Sequence, residues 1–237
     1  KKPYILHFTE LDSTNNYISA HKDELEDGDI CIADFQTAGK GQRGNGWESE
    51  EGKNLTFSIL LKPQKISSTH QFIISQAVTL GIVSYLSERG IEAKIKWPND
   101  IYVSDLKICG ILIENSVMAD ILSCSVVGIG INIIQIKFIS NAPNPVSLAM
   151  LNGREYGLKE ELSLLISHIM KEYRHIDSTT EERFLQHLYR KDEWHSYIDK
   201  ASGKEFIGKI IGTDPTARLM VALQYGSIQH FAFKEIC

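Results

Sequence analysis

Glycines at 39, 41, 44 and 46, with Lys40 and Arg43 between them, crowd one loop in the segment 36–47, QTAGKGQRGNGW. Glycine tolerates φ > 0 and places no side chain between backbone and ligand, so main-chain N–H groups in such a loop reach a phosphate closely. The two cations then offset the phosphate's charge. Gly39, Gly41 and Gly44 satisfy GxGxxG literally, but the dinucleotide fingerprint requires a helix to begin at the third glycine. Here the chain runs on as GNGWESEEGKNLTFSILL, through turn residues into a β-rich stretch. A strand–loop–strand arrangement offers no helix end to a pyrophosphate, which argues against a dinucleotide-dependent oxidoreductase. The kinase glycine loop also lies between strands, but no HRD or DFG follows. A plain surface hairpin is the other reading of this loop.

Around it the chain is strand-rich first, with helices interspersed. Residues 29–36, 54–61, 93–97, 107–114 and 121–133 are short, rich in β-branched residues and bounded by Gly, Asn or Asp, which predicts strands. Helical spacing predicts helices over 13–25, 68–89, 158–175 and 179–190. Ser68 or Thr69 would cap the second and Gly90 would stop it. Thr179 and Glu182 have capping-box spacing for the last. Beyond about residue 192 the helical period disappears. Short strand candidates separated by Gly203, 212–216 and Gly226 suit a small barrel. The expected architecture is α+β: a mixed sheet packed on helices over residues 1–191, then a small β domain over 192–237.

Composition narrows the partners. The 237 residues carry 25 Lys and Arg against 30 Asp and Glu, a net charge of −5. Tight binding to a nucleic-acid backbone needs a cationic excess, so DNA is not an expected partner. The apolar run 129–136 falls well short of the roughly 20 residues that span a bilayer. No signal-peptide core precedes the first acidic residues. The expectation is a cytoplasmic protein without membrane contact. Four cysteines stand alone, with no CxxC pair and no Cys/His cluster, and read as small buried hydrophobes. The eight histidines have no metal spacing and read as surface or packing residues.

Three more segments carry candidate chemistry. In KWPND, 96–100, Pro98 makes Trp97 extended and ends a strand, so that Asn99 and Asp100 point from a turn. An ordinary Asn-Asp turn is the alternative. In KICGILIE, Lys107 opens an apolar strand and either reaches solvent or faces an anion. In DSTNN, 12–16, Asp12 or Ser13 serves at least as a helix cap. Glycines inside a strand, as in GIGIN ending at Asn132, point to close approach by a neighbour or ligand.

Taken in order, DSTN, Q-x-x-G-K-G-x-x-G-x-x-W, KWPND, K-x-x-G-I-L-I-E, G-x-G-I-N and a C-terminal small barrel, the chain resembles biotin protein ligases. The resemblance covers nearly the whole chain. It implies a class II synthetase-like catalytic domain with an SH3-like β-barrel. It also implies a ligase that forms biotinyl-5'-AMP from biotin and ATP, with Mg²⁺, and transfers biotin to a lysine of a biotin carboxyl carrier protein. With only about a dozen residues before DSTN, the monofunctional type without a DNA-binding domain is expected. The resemblance leaves a homodimer open.

Carried over by motif, Ser13, Thr14, Asn15 and Gln36, with Lys40, Gly41 and Gln42, would bind biotin. Gly39, Gly44, Trp47, Asn99 and Asn132 would serve ATP, Trp47 by folding the loop over the adenine. Lys107, Asp100, Lys40 and Arg43 would be catalytic, Lys107 beside the biotin carboxylate and the α-phosphate. No residue is assigned to a metal. Many members have GRGRxGRxW, whereas this chain has Lys40, Gln42 and Asn45 in place of three arginines. Lys40 keeps the charge without the planar fork, and weaker retention of the adenylate is expected. A lipoate or octanoate ligase of the same fold and a non-enzymatic biotin-binding module are the alternatives.

Overall fold

The computed structural model describes residues 3–41, 46–139 and 144–236. A seven-stranded sheet is built from β1 (Ile5–Leu11), β2 (Ile30–Gln36), β3 (Asn54–Leu61), β4 (Lys94–Lys96), β5 (Asp100–Val103), β6 (Leu106–Met118) and β7 (Ile121–Asn132). Its order is β1-β2-β3-β7-β6-β5-β4, with β1 and β2 parallel and every other pair antiparallel. Strand β3, NLTFSILL, is buried at all eight positions: Leu55, Phe57, Ile59 and Leu61 enter the main core, while Asn54, Thr56 and Ser58 are buried polar residues between them.

One face is covered by α2 (Phe72–Glu88) and α4 (Leu158–Arg174), whose side chains join β3, β6 and β7 in the main core. The two helices cross closely at Gly81, where a Cβ would lie 2.5 Å from the Ile169 Cα. Glu161, buried, accepts hydrogen bonds from the Tyr85 hydroxyl at 2.6 Å and from Arg89 at 2.8 and 2.9 Å. Burial, then the adjoining carboxylate, push the Tyr85 phenol upward. The other face carries α1 (Thr14–His21), whose Ile18 packs on Cys31, Leu60, Cys124 and Val126.

The expected strands are present, and the structure adds others. β1 was not expected. It is an edge strand with no buried position, and ILHFTEL keeps no strict alternation of apolar and polar residues. α3 (Leu148–Asn152) was not expected either, being little more than one capped turn with Gly153 in the left-handed region. β5 begins at Asp100, which pairs with Lys96 of β4, so WPN, 97–99, is the turn between two antiparallel strands and Asp100 belongs to a strand. Before α2, Ser68–His70 form a 3-10 turn whose cap is Ser67, in place of Ser68 or Thr69. Gly90 does end α2: its N–H donates to Ser87 and that of Ile91 to Leu86, a Schellman closure. The capping box expected at Thr179 does not form. Asp177 accepts from the Thr179 N–H and hydroxyl instead, and α5 spans Thr180–Gln186.

The C-terminal residues form a four-stranded antiparallel sheet, β8 (Trp194–Ile198), β9 (Glu205–Thr213), β10 (Leu219–Leu223) and β11 (Ile228–Phe231), in the order β11-β10-β9-β8. A bridge between Asp199 and Ile236 brings the segment after β11 back to the end of β8. Among the described residues no helix is long and apolar enough to cross a membrane. Cys31, Cys109 and Cys124 are free and buried. Burial pushes the Cys31 thiol up to about 12.

Candidate active site

A cleft opens between α1, the β6–β7 ladder, the glycine loop and the end of the C-terminal sheet. Five separate sequence motifs meet in its wall: Ser13, Thr14 and Asn15 from α1 and its cap, Gln36 with Lys40 and Gly41, Asp100, Lys107, and Gly128 with Gly130. Gln42, Arg43, Gly44 and Asn45 lie outside the described residues. The neck of that loop is a short antiparallel closure, with Lys40 bridged to Gly46 and the Trp47 N–H donating to the Gly39 carbonyl at 3.3 Å.

At one end of the cleft the side chains form a hydrogen-bonded recess. Ser13 caps α1, accepting from the Asn16 N–H at 3.5 Å. The Thr14 N–H donates to Gln36 Oε1 at 2.7 Å. Ser58, deep in β3, touches Thr14 Oγ1 at 2.7 Å and Asn15 Oδ1 at 2.6 Å. Asn15 Nδ2 donates to Glu114 Oε2 at 2.7 Å and toward the Leu112 carbonyl at 3.4 Å. The β6–β7 floor must be thin beneath these groups. A Cβ at Gly128 would lie 2.3 Å from Asn15 Oδ1, and one at Gly130 would lie 2.3 Å from the Trp47 ring.

The other end is charged. Lys107 Nζ lies 2.8 Å from Asp100 Oδ2, both side chains about one-third exposed or less. The pairing of β5 and β6 sets this contact, with Asp100 opposite Gly110 and Lys107 opposite Tyr102. Lys40 lies nearer the recess, donating to Asn16 Oδ1 of α1 at 2.7 Å. Lys40, Lys107 and Lys234 against Asp100 leave the described wall with an excess of cations, suited to an anionic ligand. Phe233 and Lys234, from the turn after β11, carried no signal in the sequence. Lys234 sits at φ 67°, where a non-glycine residue is strained.

Trp47 is in the cleft wall, against Gly110 and Gly130 on the sheet, its indole N–H buried and without a hydrogen-bond partner among the described residues. Two expected site residues are placed elsewhere. Asn99 is buried and donates to the Ile111 carbonyl at 2.7 Å. Asn132 is buried and donates to the Val146 carbonyl at 3.0 Å, its Oδ1 unpaired among the described residues. Neither asparagine contributes to the cleft wall. Among the described residues no group of three or more His, Cys, Asp or Glu could hold a metal ion.

Residues 7–132, which contain every motif of the recess and the Lys107–Asp100 pair, match the model of the biotin/lipoate A/B protein ligase family. The chain belongs to that family. The bifunctional ligase/repressor BirA of Escherichia coli (strain K12) is 29% identical over 95% of this chain and 71% of its own length. The chloroplastic biotin–protein ligase 1 of Arabidopsis thaliana is 30% identical over 78% of this chain and 51% of its own. Among solved structures, the biotin protein ligase from Aquifex aeolicus in complex with biotin and ATP superposes with a TM-score of 0.80 at 24% identity. It covers 99% of this chain and 97% of that one. At that identity the likeness is one of fold, and it extends through the C-terminal sheet.

Proposed function

We propose that this family member is an ATP-dependent biotin–protein ligase. The observation that carries the reading is a single cleft with a neutral, hydrogen-bonding recess at one end and a cationic end built on Lys107. Such a cleft suits an acid whose polar uncharged head sits at the far end from its carboxylate. The names of the relatives point the same way.

In the proposed reaction a carboxylate oxygen of biotin attacks the α-phosphorus of ATP, pyrophosphate leaves with the bonding pair, and biotinyl-5'-AMP results. Two anions must approach, so Lys107, with Lys40, offsets their repulsion and the charge that develops on phosphorus. Arg43 would join them from the glycine loop. The amine of an acceptor lysine on a biotin carboxyl carrier protein then attacks the acyl carbon, and AMP departs. Asp100 orients that amine or takes its proton. Ser13, Thr14, Asn15, Gln36, Lys40, Gly41 and Lys107 are assigned to biotin, with Gln42 in the loop. Gly39, Gly44 and Trp47 are assigned to the nucleotide, together with Asn99 and Asn132, which would first have to release their backbone partners.

Mg²⁺ fits this donor set only as a companion of the triphosphate. Asp100 is the one carboxylate in the described wall, and Mg²⁺ commonly uses one or two carboxylates plus substrate phosphates. When bound there it would neutralise the phosphate oxygens. The test is exchange of labelled pyrophosphate into ATP, run with biotin, lipoate and octanoate. Exchange with biotin is the expected outcome. Exchange with lipoate or octanoate alone would move the protein to another branch of its family, and no exchange with any acid would refute adenylation.

A further inference from the structure

The segment 11–16 does more than cap α1. Its backbone takes hold of the arm that rises from β2 into the glycine loop. The Thr37 N–H donates to the Leu11 carbonyl and the Ala38 N–H to the Asp12 carbonyl, each at 2.9 Å. Two residues further on, Lys40 reaches back to the first turn of α1 and donates to Asn16 Oδ1 at 2.7 Å. Asn16 Nδ2 in turn donates to Asp12 Oδ2. Carboxylate, amide and ammonium thus stand in a row.

This order fixes the amide. Nδ2 faces a carboxylate and Oδ1 faces an ammonium, and a reversed Asn16 would set oxygen against oxygen and N–H against N–H. The Asn16 amide, then the Ser13 backbone N–H, hold the Asp12 carboxyl below its ordinary value, so it is an anion at neutral pH. The charge of Lys40, on the far side of the amide, contributes less. Lys107 is held differently, its ammonium meeting the Asp100 carboxylate directly at 2.8 Å. Lys40 is anchored to a neutral oxygen, and a cation held that way keeps its charge for an incoming anion. Lys40 lines the cleft, whereas Asn16 and Asp12 stand behind it, outside the wall.

We propose that Asn16 is a positioning residue that holds Lys40 in the cleft wall and, standing between it and Asp12, keeps the lysine's charge available to an anionic ligand. Asp12 sets the orientation of the amide. It is also the carboxylate on which Lys40 would close if the amide were absent, since the lysine stem is flexible. The proposal rests on the biotin ligase reading, in which Lys40 helps to offset the repulsion between the biotin carboxylate and the triphosphate.

The experiment is biotin-dependent pyrophosphate exchange by the whole protein, read as kcat/KM for biotin. Asn16→Ala is expected to lower it about three- to fivefold, the scale of one exposed ion pair, as Lys40 closes on Asp12. Adding Asp12→Ala removes the competing carboxylate and is expected to restore most of that loss. In a Lys40→Gln background, Asn16→Ala is expected to change nothing further, because the two residues act through one contact. An Asn16→Ala variant as active as the wild type would overturn the proposal. So would a loss that Asp12→Ala leaves in place, or one that is as large in the Lys40→Gln background, which is the result of a purely structural part for Asn16 in α1. A wild type that exchanges with no acid would instead overturn the functional reading on which the proposal rests.

Discussion

Lys107 and Asp100 are held together by strand pairing and not by loop geometry, so either can be changed with little effect on the fold. Lys107→Met removes the cation from the end of the cleft where two anions would meet. Loss of one preorganised charge-stabilising donor costs on the order of 10²–10³ in rate. Biotin-dependent pyrophosphate exchange is expected to fall by that factor while the thermal midpoint stays near that of the wild type. A drop below tenfold would remove Lys107 from the catalytic assignment. The residue scale is also where the sequence was most legible. Glycines 128 and 130 in a β-rich run imply close approach, and the structure supplies the neighbours, Asn15 and the Trp47 ring. What a sequence does not carry is the direction of a side chain. Asn99 and Asn132 have residue types suited to ligand binding, yet both turn inward to backbone carbonyls.

Elements were legible in proportion to how much apolar surface they bury. β3 and α2, nearly covered on all sides, announce themselves, whereas the edge strand β1 and the five-residue α3 bury too little to leave a clear pattern. The α2–α4 contact shows what such a pattern omits. Gly81 lies in an apolar helix where alanine would raise helix propensity, but the α4 backbone at Ile169 occupies the space of its Cβ. Gly81→Ala is therefore expected to destabilise by about 2 kcal/mol through overpacking, measured as a lower urea midpoint. A stabilised variant would mean that the helices part freely. The end of α5 supplies a pH prediction. Burial, reinforced by Lys94 and Arg183, lowers the pKa of His187 below its ordinary value. The unfolded chain then binds a proton that the folded chain resists, so stability is retained above about pH 6.5 and falls as pH drops below it. His187→Gln is expected to flatten that slope between pH 7.5 and 5.5 in urea titrations.

At the scale of the whole molecule, the change of grain near residue 192 marks the C-terminal sheet, but its link to the cleft was invisible. Residues of that sheet, Tyr197, Ile210, Leu219, Val221 and Phe231, share one continuous apolar core with α2 and α4. The tie at the surface is Trp97, in the turn that leads into Asp100. Its indole N–H donates to the Ala217 carbonyl at 3.0 Å, and its ring meets that of Phe233 edge-on at 6.1 Å. Phe233 and Lys234 in turn line the cleft. One tryptophan thus joins the strand that carries Asp100 to the segment that completes the opposite wall. With a shared core, the wild type is expected to unfold in one transition, with circular dichroism and intrinsic fluorescence coinciding. Trp97→Leu removes the hydrogen bond and the ring contact, for a loss of about 2 kcal/mol. Because Trp97 packs on Phe233, the neighbour of Lys234 in the cleft wall, the same change is expected to raise the KM for ATP several-fold more than it lowers kcat. Coincident, unshifted transitions and an unchanged KM would show that the sheet is held by its core alone and that Trp97 does not couple it to the cleft.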